Sequence, residues 1–116
     1  MEVYSKILTE ADVSTRLVVE SNTIDEFFPA FKAGQDSQDL VVEDENGERW
    51  AFRLFIRQGP FGKPIISAGW RRFVESKQAK VGDQVVFSKE RVAAIGSVSS
   101  YKIRVVKKVK LFKSTI

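Results

Sequence analysis

Four side chains able to recognise a polyanion fall within one short run, RQGPFGK: Arg57, Gln58, Phe61 and Lys63. The planar fork of an arginine can bond two acceptors at once, either O6 and N7 of a guanine or two oxygens of one phosphate. Lysine adds a point charge, and glutamine both donates and accepts. Phe61, set between Pro60 and Gly62, can stack on a base, touch a thymine methyl, wedge at a base step, or cover its own loop. Gly59 and Gly62, with Pro60 and Pro64, are ordinary turn chemistry, and the prolines lower the entropy lost when the loop orders. A turn does not require the arginine, the lysine or the phenylalanine, so the run is a candidate binding loop.

Other chemistries are poorly supplied. The chain has no cysteine and no histidine, which removes most routes to zinc, thiol chemistry and imidazole catalysis. Six acids, Asp36, Asp39, Glu43, Asp44, Glu45 and Glu48, lie in one stretch without a base. Neither a calcium-loop spacing nor a nuclease-like partner lysine accompanies them, so they are expected to face water around a turn rather than to hold a metal. Asp83, after Gly82, reads as a turn residue bonding nearby backbone amides. No glycine-rich loop sits between a strand and a helix as a phosphate cradle requires. With no nucleophile, base and orienting group to assemble, the expectation is a non-enzyme without cofactor or metal.

The elements that must carry the loop read mainly as strands. EVYSKIL alternates Val3, Ser5 and Ile7 against Tyr4, Lys6 and Leu8; RLVVE is rich in β-branched residues. DLVVEDENGERWAFRLFI reads as a hairpin about Asn46-Gly47, and KPIIS, DQVVFSKE and SYKIRVVKKVKLF follow, for about seven strands. Two short helices are expected, one in SNTIDEFFP and one opening GWRRFVESKQAKVGD, where Trp70, Phe73 and Val74 share a face. Trp50, Phe52, Trp70, Phe73, Phe87, Phe27 and Phe28 fall where a core needs bulk.

At 116 residues, with 43% hydrophobic and 29% charged residues, the chain is expected to form a single domain over residues 1–116, with a basic strand and tail over about 101–116. No apolar run is long enough to cross a bilayer, and the first residues do not resemble a signal peptide, so no membrane partner is expected. The net charge of +4 is unevenly spread. Arg49 to Lys80 holds eight bases against the lone Glu75, and Tyr101 onward holds six bases and no acid. Segregation of this kind can build a basic face that recruits polyanions, or can be a solvated surface.

KILTEADVSTRLVV, FFP, ENGERWAFR, GWRRFV and VGDQVVF, in this order and spacing, resemble the plant B3 DNA-binding domain across nearly the whole chain. The resemblance implies a mainly β fold, an open seven-stranded β pseudobarrel with two short α-helices. It further implies two arms entering the major groove of double-stranded DNA. The first would carry Lys6, Thr9, Ser14, Thr15 and Arg16. The second would be the loop Arg57, Gln58, Gly59, Pro60, Phe61, Gly62 and Lys63. Arg57 and Arg16 would read base edges, assisted by Gln58 and Lys63, while Lys6, Arg71, Arg72 and Lys80 would hold phosphates. A nuclear plant transcription factor, or its DNA-binding domain, is the expected protein. Glu20 stands where many members have proline, and Ser67 where they have threonine, neither at an expected contact. The alternative expectation is a protein-interaction domain on the same barrel with weak or non-specific nucleic-acid binding; VVKKVKLF could then pair at a sheet edge, although edge lysines also guard against such pairing.

Overall fold

Alternation in the first strand decides which way the sheet faces. The computed structural model describes residues 2–19, 27–28, 36–56, 64–92 and 98–108. Strand β1 (Glu2–Ile7) turns Tyr4 inward, with Leu8 buried just past its end, and leaves Val3 and Ile7 exposed. Helix α1 (Glu10–Ser14), β2 (Leu17–Val18), β3 (Ser37–Glu43), β4 (Arg49–Ile56) and β5 (Pro64–Ile66) follow, then helix α2 (Trp70–Lys77), β6 (Gln84–Val92) and β7 (Val98–Val106). The seven strands form one curled sheet, an open half-barrel, in the order β1-β6-β7-β3-β4-β5-β2. Neighbours are antiparallel except β3 and β7, which run parallel with Glu43 opposite Lys102.

The expected hairpin is β3–β4, in register from Ser37 opposite Phe55 to Glu43 opposite Arg49. Of the Asn46-Gly47 pair only Gly47 has a positive φ, +83°. Asp44 shapes the rest of the turn. Its backbone accepts from Gly47 and donates to Glu48, and its Oδ1 accepts from the amides of Asn46 and Glu48. The expectation that the six acids face water therefore fails for Asp44, which is buried. A side chain that replaces missing backbone partners must lie beneath the turn it organises.

Two helices are found among the described residues, but α1 was not one of those expected. The residues Thr9-x-x-Asp12 form a reciprocal capping box: Thr9 Oγ1 accepts from the Asp12 amide and Asp12 Oδ2 accepts from the Thr9 amide. Of the helix expected at Ser21 to Pro29, only Phe27 and Phe28 are described, in a turn and a bend; the remainder of that expectation lies outside the described residues. Helix α2 begins at Gly69, whose φ of +84° and close approach to β4 both require glycine, since a Cβ would stand 2.2 Å from the Ala51 carbonyl oxygen.

The core fills the concave side of the sheet. Phe52, Trp70 and Phe73 pack on one side, and Tyr4, Phe27, Phe28, Phe87 and Tyr101 on another, mostly tilted or edge-on, with Trp70 stacked on Phe73 and Phe28 on Tyr101. Six of the seven aromatics expected in the core are buried; Trp50 is half-buried and meets Phe73 edge-on at 5.3 Å. Buried rings of this size contribute roughly 1.5–3 kcal/mol each. Strand β7 lies between β6 and β3; Val105 and Val106 pair with Val85 and Gln84 of β6, past the Glu43–Lys102 bridge to β3.

Candidate nucleic-acid interface

The first arm is a short, firmly tethered excursion between β1 and β2. Asp12, 1% exposed, is its anchor: Oδ1 accepts from Lys6 Nζ at 3.1 Å and from the Val18 amide at 3.3 Å, while Oδ2 closes the capping box. The Asp12 carbonyl accepts a 2.7 Å bond from the indole N–H of Trp70, tying α1 to α2. Lys6 also donates to the Val18 carbonyl at 2.7 Å, and its side chain is only 18% exposed. Of the residues expected on this arm, Lys6 thus sits inside its base, whereas Thr9, Ser14 and Thr15 are exposed and Arg16 is half-buried. The Ser14 and Thr15 hydroxyls donate to the carbonyls of Glu10 and Ala11, leaving their lone pairs facing solvent.

The second arm, Arg57 to Lys63, lies outside the described residues. Its two stems are described: β4 ends at Ile56, β5 begins at Pro64, and these residues are paired. Strand β5 in turn pairs with β2, Leu17 opposite Ile66 and Val18 opposite Ile65, and the Val19 amide donates to the Pro64 carbonyl. The strand that leaves the first arm and the strand that leaves the second are therefore neighbours. Arg16 precedes β2 by one residue and Lys63 precedes β5 by one residue. Three residues of extended chain separate Arg16 from Val19, which lies beside Pro64, so the roots at Arg16 and Pro64 stand about 10 Å apart along the ladder.

Of the bases expected to hold phosphates, Arg71, Arg72 and Lys80 are exposed, whereas Lys6 is largely enclosed. Arg71 lies 3.9 Å from Glu75 one helical turn on, with both side chains in solvent, a pair of little energetic weight. Arg72 and Arg49 line an open cleft of about 470 Å³ with Glu48, Trp50, Ala51 and Ser76. Lys80 belongs to the turn before β6, which is bonded to Leu8 in both directions, Gly82 amide to Leu8 carbonyl at 2.9 Å and Leu8 amide to Asp83 carbonyl at 2.8 Å. That turn abuts Thr9, where the first arm starts.

Not every base is on the surface. Lys77, 12% exposed, reaches Asp44 Oδ2 at 2.8 Å, and the same oxygen accepts from the Trp50 indole at 2.9 Å. Burial pushes the Asp44 carboxyl up, but the bonds from Lys77, Trp50 and the amides of Glu48 and Asn46 outweigh it and hold it well below the usual carboxylate range. Asp83 behaves as expected of a turn residue, accepting from the amides of Lys80 and Lys108 at 2.9 and 2.8 Å. Among the described residues no group of acids is arranged to hold a metal ion, and no helix is long and apolar enough to cross a membrane.

Residues 4–104 match the family model of the B3 DNA binding domain. A rice B3 domain-containing protein (Oryza sativa subsp. japonica) is 36% identical over 89 residues, 75% of this chain and 30% of its own length. Auxin response factor 5 of Arabidopsis thaliana is 33% identical over 93 residues, 77% of this chain and 10% of its own. The chain thus spans between a tenth and about a third of these relatives. Among solved structures, the Arabidopsis FUS3-DNA complex shares the fold with a TM-score of 0.76 at 18% identity, covering 91% of this chain and 97% of that one.

Proposed function

The chain belongs to the family of B3 DNA-binding domains, and from that premise we propose that it binds double-stranded DNA sequence-specifically, placing two arms in the major groove, as the DNA-binding domain of a plant nuclear transcription factor. The observation that carries this reading is that the two arms spring from opposite ends of one short ladder, β2–β5. A spacing of about 10 Å between the roots suits one major groove, about 12 Å wide. In this reading Arg16 and Arg57 reach base edges, Gln58 and Lys63 assist, and Thr9, Ser14 and Thr15 offer hydroxyls to bases or backbone. Arg71, Arg72 and Lys80 grip phosphates, which set orientation and register without reading sequence. Lys6 works from below, holding Asp12 and hence the arm, rather than touching the duplex.

Rigidity supports the assignment of roles. A contact that discriminates bases needs its donor fixed to a fraction of an ångström, and the first arm is fixed by the Asp12 carboxylate, the capping box and the Trp70 indole together. The FUS3 chain of similar fold has been solved with DNA, which supports duplex DNA as the partner here. Selection of duplexes from a randomised pool, followed by gel shifts at two salt concentrations, tests the reading. The expected result is enrichment of one motif and retention of that duplex over a scrambled one. Absence of any retained duplex at low salt would favour an interaction domain on the same barrel.

A further inference from the structure

The last described bases, Lys107 and Lys108, lie beyond residue 104, where the family match ends, yet they are built into the fold. Asp83 brings three segments together. Its Oδ2 accepts from the Lys80 amide at 2.9 Å and from Lys107 Nζ at 3.3 Å, and its Oδ1 accepts from the Lys108 amide at 2.8 Å. Lys107 also donates to the carbonyls of Lys77 and Gln78, where a cation complements the open C-terminus of α2. Burial pushes the Asp83 carboxyl up, but the Lys108 and Lys80 amides and the Lys107 ammonium together hold it down, so the junction stays ionised at neutral pH.

The junction sits beside the first arm. The turn holding Lys80 is bonded to Leu8, next to the arm's capping Thr9. Lys108 is exposed, and its side chain lies over Gly82, where a Cβ would stand 2.8 Å from its Cδ and 3.5 Å from its Nζ. Lys107 commits its ammonium to the junction. The ammonium groups of Lys80 and Lys108, by contrast, have no carboxylate within ion-pair distance among the described residues. Two unspent cations thus flank one root of the proposed interface, one of them, Lys108, on a segment that the family match does not reach.

We propose that Lys108, beside Lys80, is a DNA-phosphate contact that extends the footprint of the first arm, and that Asp83 is the positioning residue that holds it there. The inference rests on the DNA-binding reading above and adds to it a contact from the chain beyond β7.

The test uses the whole chain and a selected duplex, with affinity followed between about 50 and 200 mM salt. Lys108→Ala removes one phosphate contact, so the wild type's advantage over it should shrink about 3.5-fold across that range, as a slope change of about 0.9 requires. The preference for selected over scrambled duplex should not change, and Lys108→Arg should keep the wild-type slope. Asp83→Ala, which removes the acceptor of the Lys108 amide, should lower the slope of the folded protein like Lys108→Ala, and the double variant should lower it no further. A wild-type slope for Lys108→Ala, with wild-type binding intact, would remove Lys108 and leave the DNA reading standing. A wild-type slope for folded Asp83→Ala would overturn the positioning role alone. A wild type that retains no duplex would overturn the DNA reading, and this inference with it.

Discussion

Replacing Asp12 with alanine tests whether the first arm hangs on one carboxylate. The side chain is 1% exposed and serves the Lys6 ammonium and the amides of Thr9 and Val18. Breaking a buried pair from one side costs about 3–5 kcal/mol, because the surviving charge is left without compensation. Here Lys6 keeps the Val18 carbonyl at 2.7 Å and some contact with water, which pulls the loss toward the lower limit, about 3 kcal/mol. With a urea m-value of about 1.5 kcal/mol/M, the midpoint should fall by about 2 M with the slope unchanged. Lys6→Met alone should cost less than Asp12→Ala, since the carboxylate retains two amide donors, and the double variant should cost clearly less than the two losses added, a coupling of about 1–3 kcal/mol. A loss below about 1 kcal/mol for Asp12→Ala, or strict additivity of the pair, would refute the anchor.

Asp44 should make stability depend on acid. Its folded pKa is depressed, so its contribution is complete above the ordinary aspartate value of about 3.9 and is lost as the pH falls below it toward the folded value; urea unfolding of wild type and Asp44→Asn should show a gap at neutral pH that closes in acid, and a gap independent of pH would contradict the assignment. Two glycines separate backbone strain from collision: Gly47→Ala, at φ +83° with open space around it, should cost about 1 kcal/mol, whereas Gly69→Ala, at φ +84° against the Ala51 carbonyl, should cost at least about 2 kcal/mol more. Equal losses in urea titrations would show that the α2–β4 contact yields freely. Arg57→Ala should cost about 1–3 kcal/mol on the selected duplex and relax preference at one base position; the same loss on scrambled duplex would mean that Arg57 holds phosphate only.

How much of this was legible varies with the range over which each partner acts. The β3–β4 hairpin was visible because alternation and a turn glycine are local signals. The capping box of α1 was equally local, Thr9-x-x-Asp12, and readable as a helix start, although four polar or small residues around it masked the pattern. Lys6 carried a subtler signal. It shares its face with Tyr4 of β1 and with Leu8 just past the strand's end, both buried, so a lysine at that position needed a carboxylate partner inside the barrel. Asp44 was not legible as a buried acid, because Lys77, which neutralises it, lies far along the chain on α2, and only the folded chain brings the two together. The junction at Asp83 was half legible: the turn amide of Lys80 is three residues away, but the Lys107 and Lys108 donors arrive from the end of β7.

Burial divides the cations of this chain into two populations with different physics. Lys6 and Lys77 are mostly buried, each against an aspartate that is itself almost inaccessible, and interactions in that environment are screened little by salt. Arg71, Arg72, Lys80 and Lys108 stand in solvent, where their attraction for phosphates should weaken steeply as salt rises. The first set ties α1 and α2 to the sheet; the second lies on or beside those same elements. Counting bases along the sequence mixes the two, which is why an excess of only four positive charges understates what the surface can do. Each internal pair removes one acid and one base from view, so the sum is unchanged while exposed cations are left concentrated around a rigid base. A scaffold held by buried pairs can then keep residues 9–16 in place at salt concentrations that already weaken the attraction of its exposed bases for phosphates.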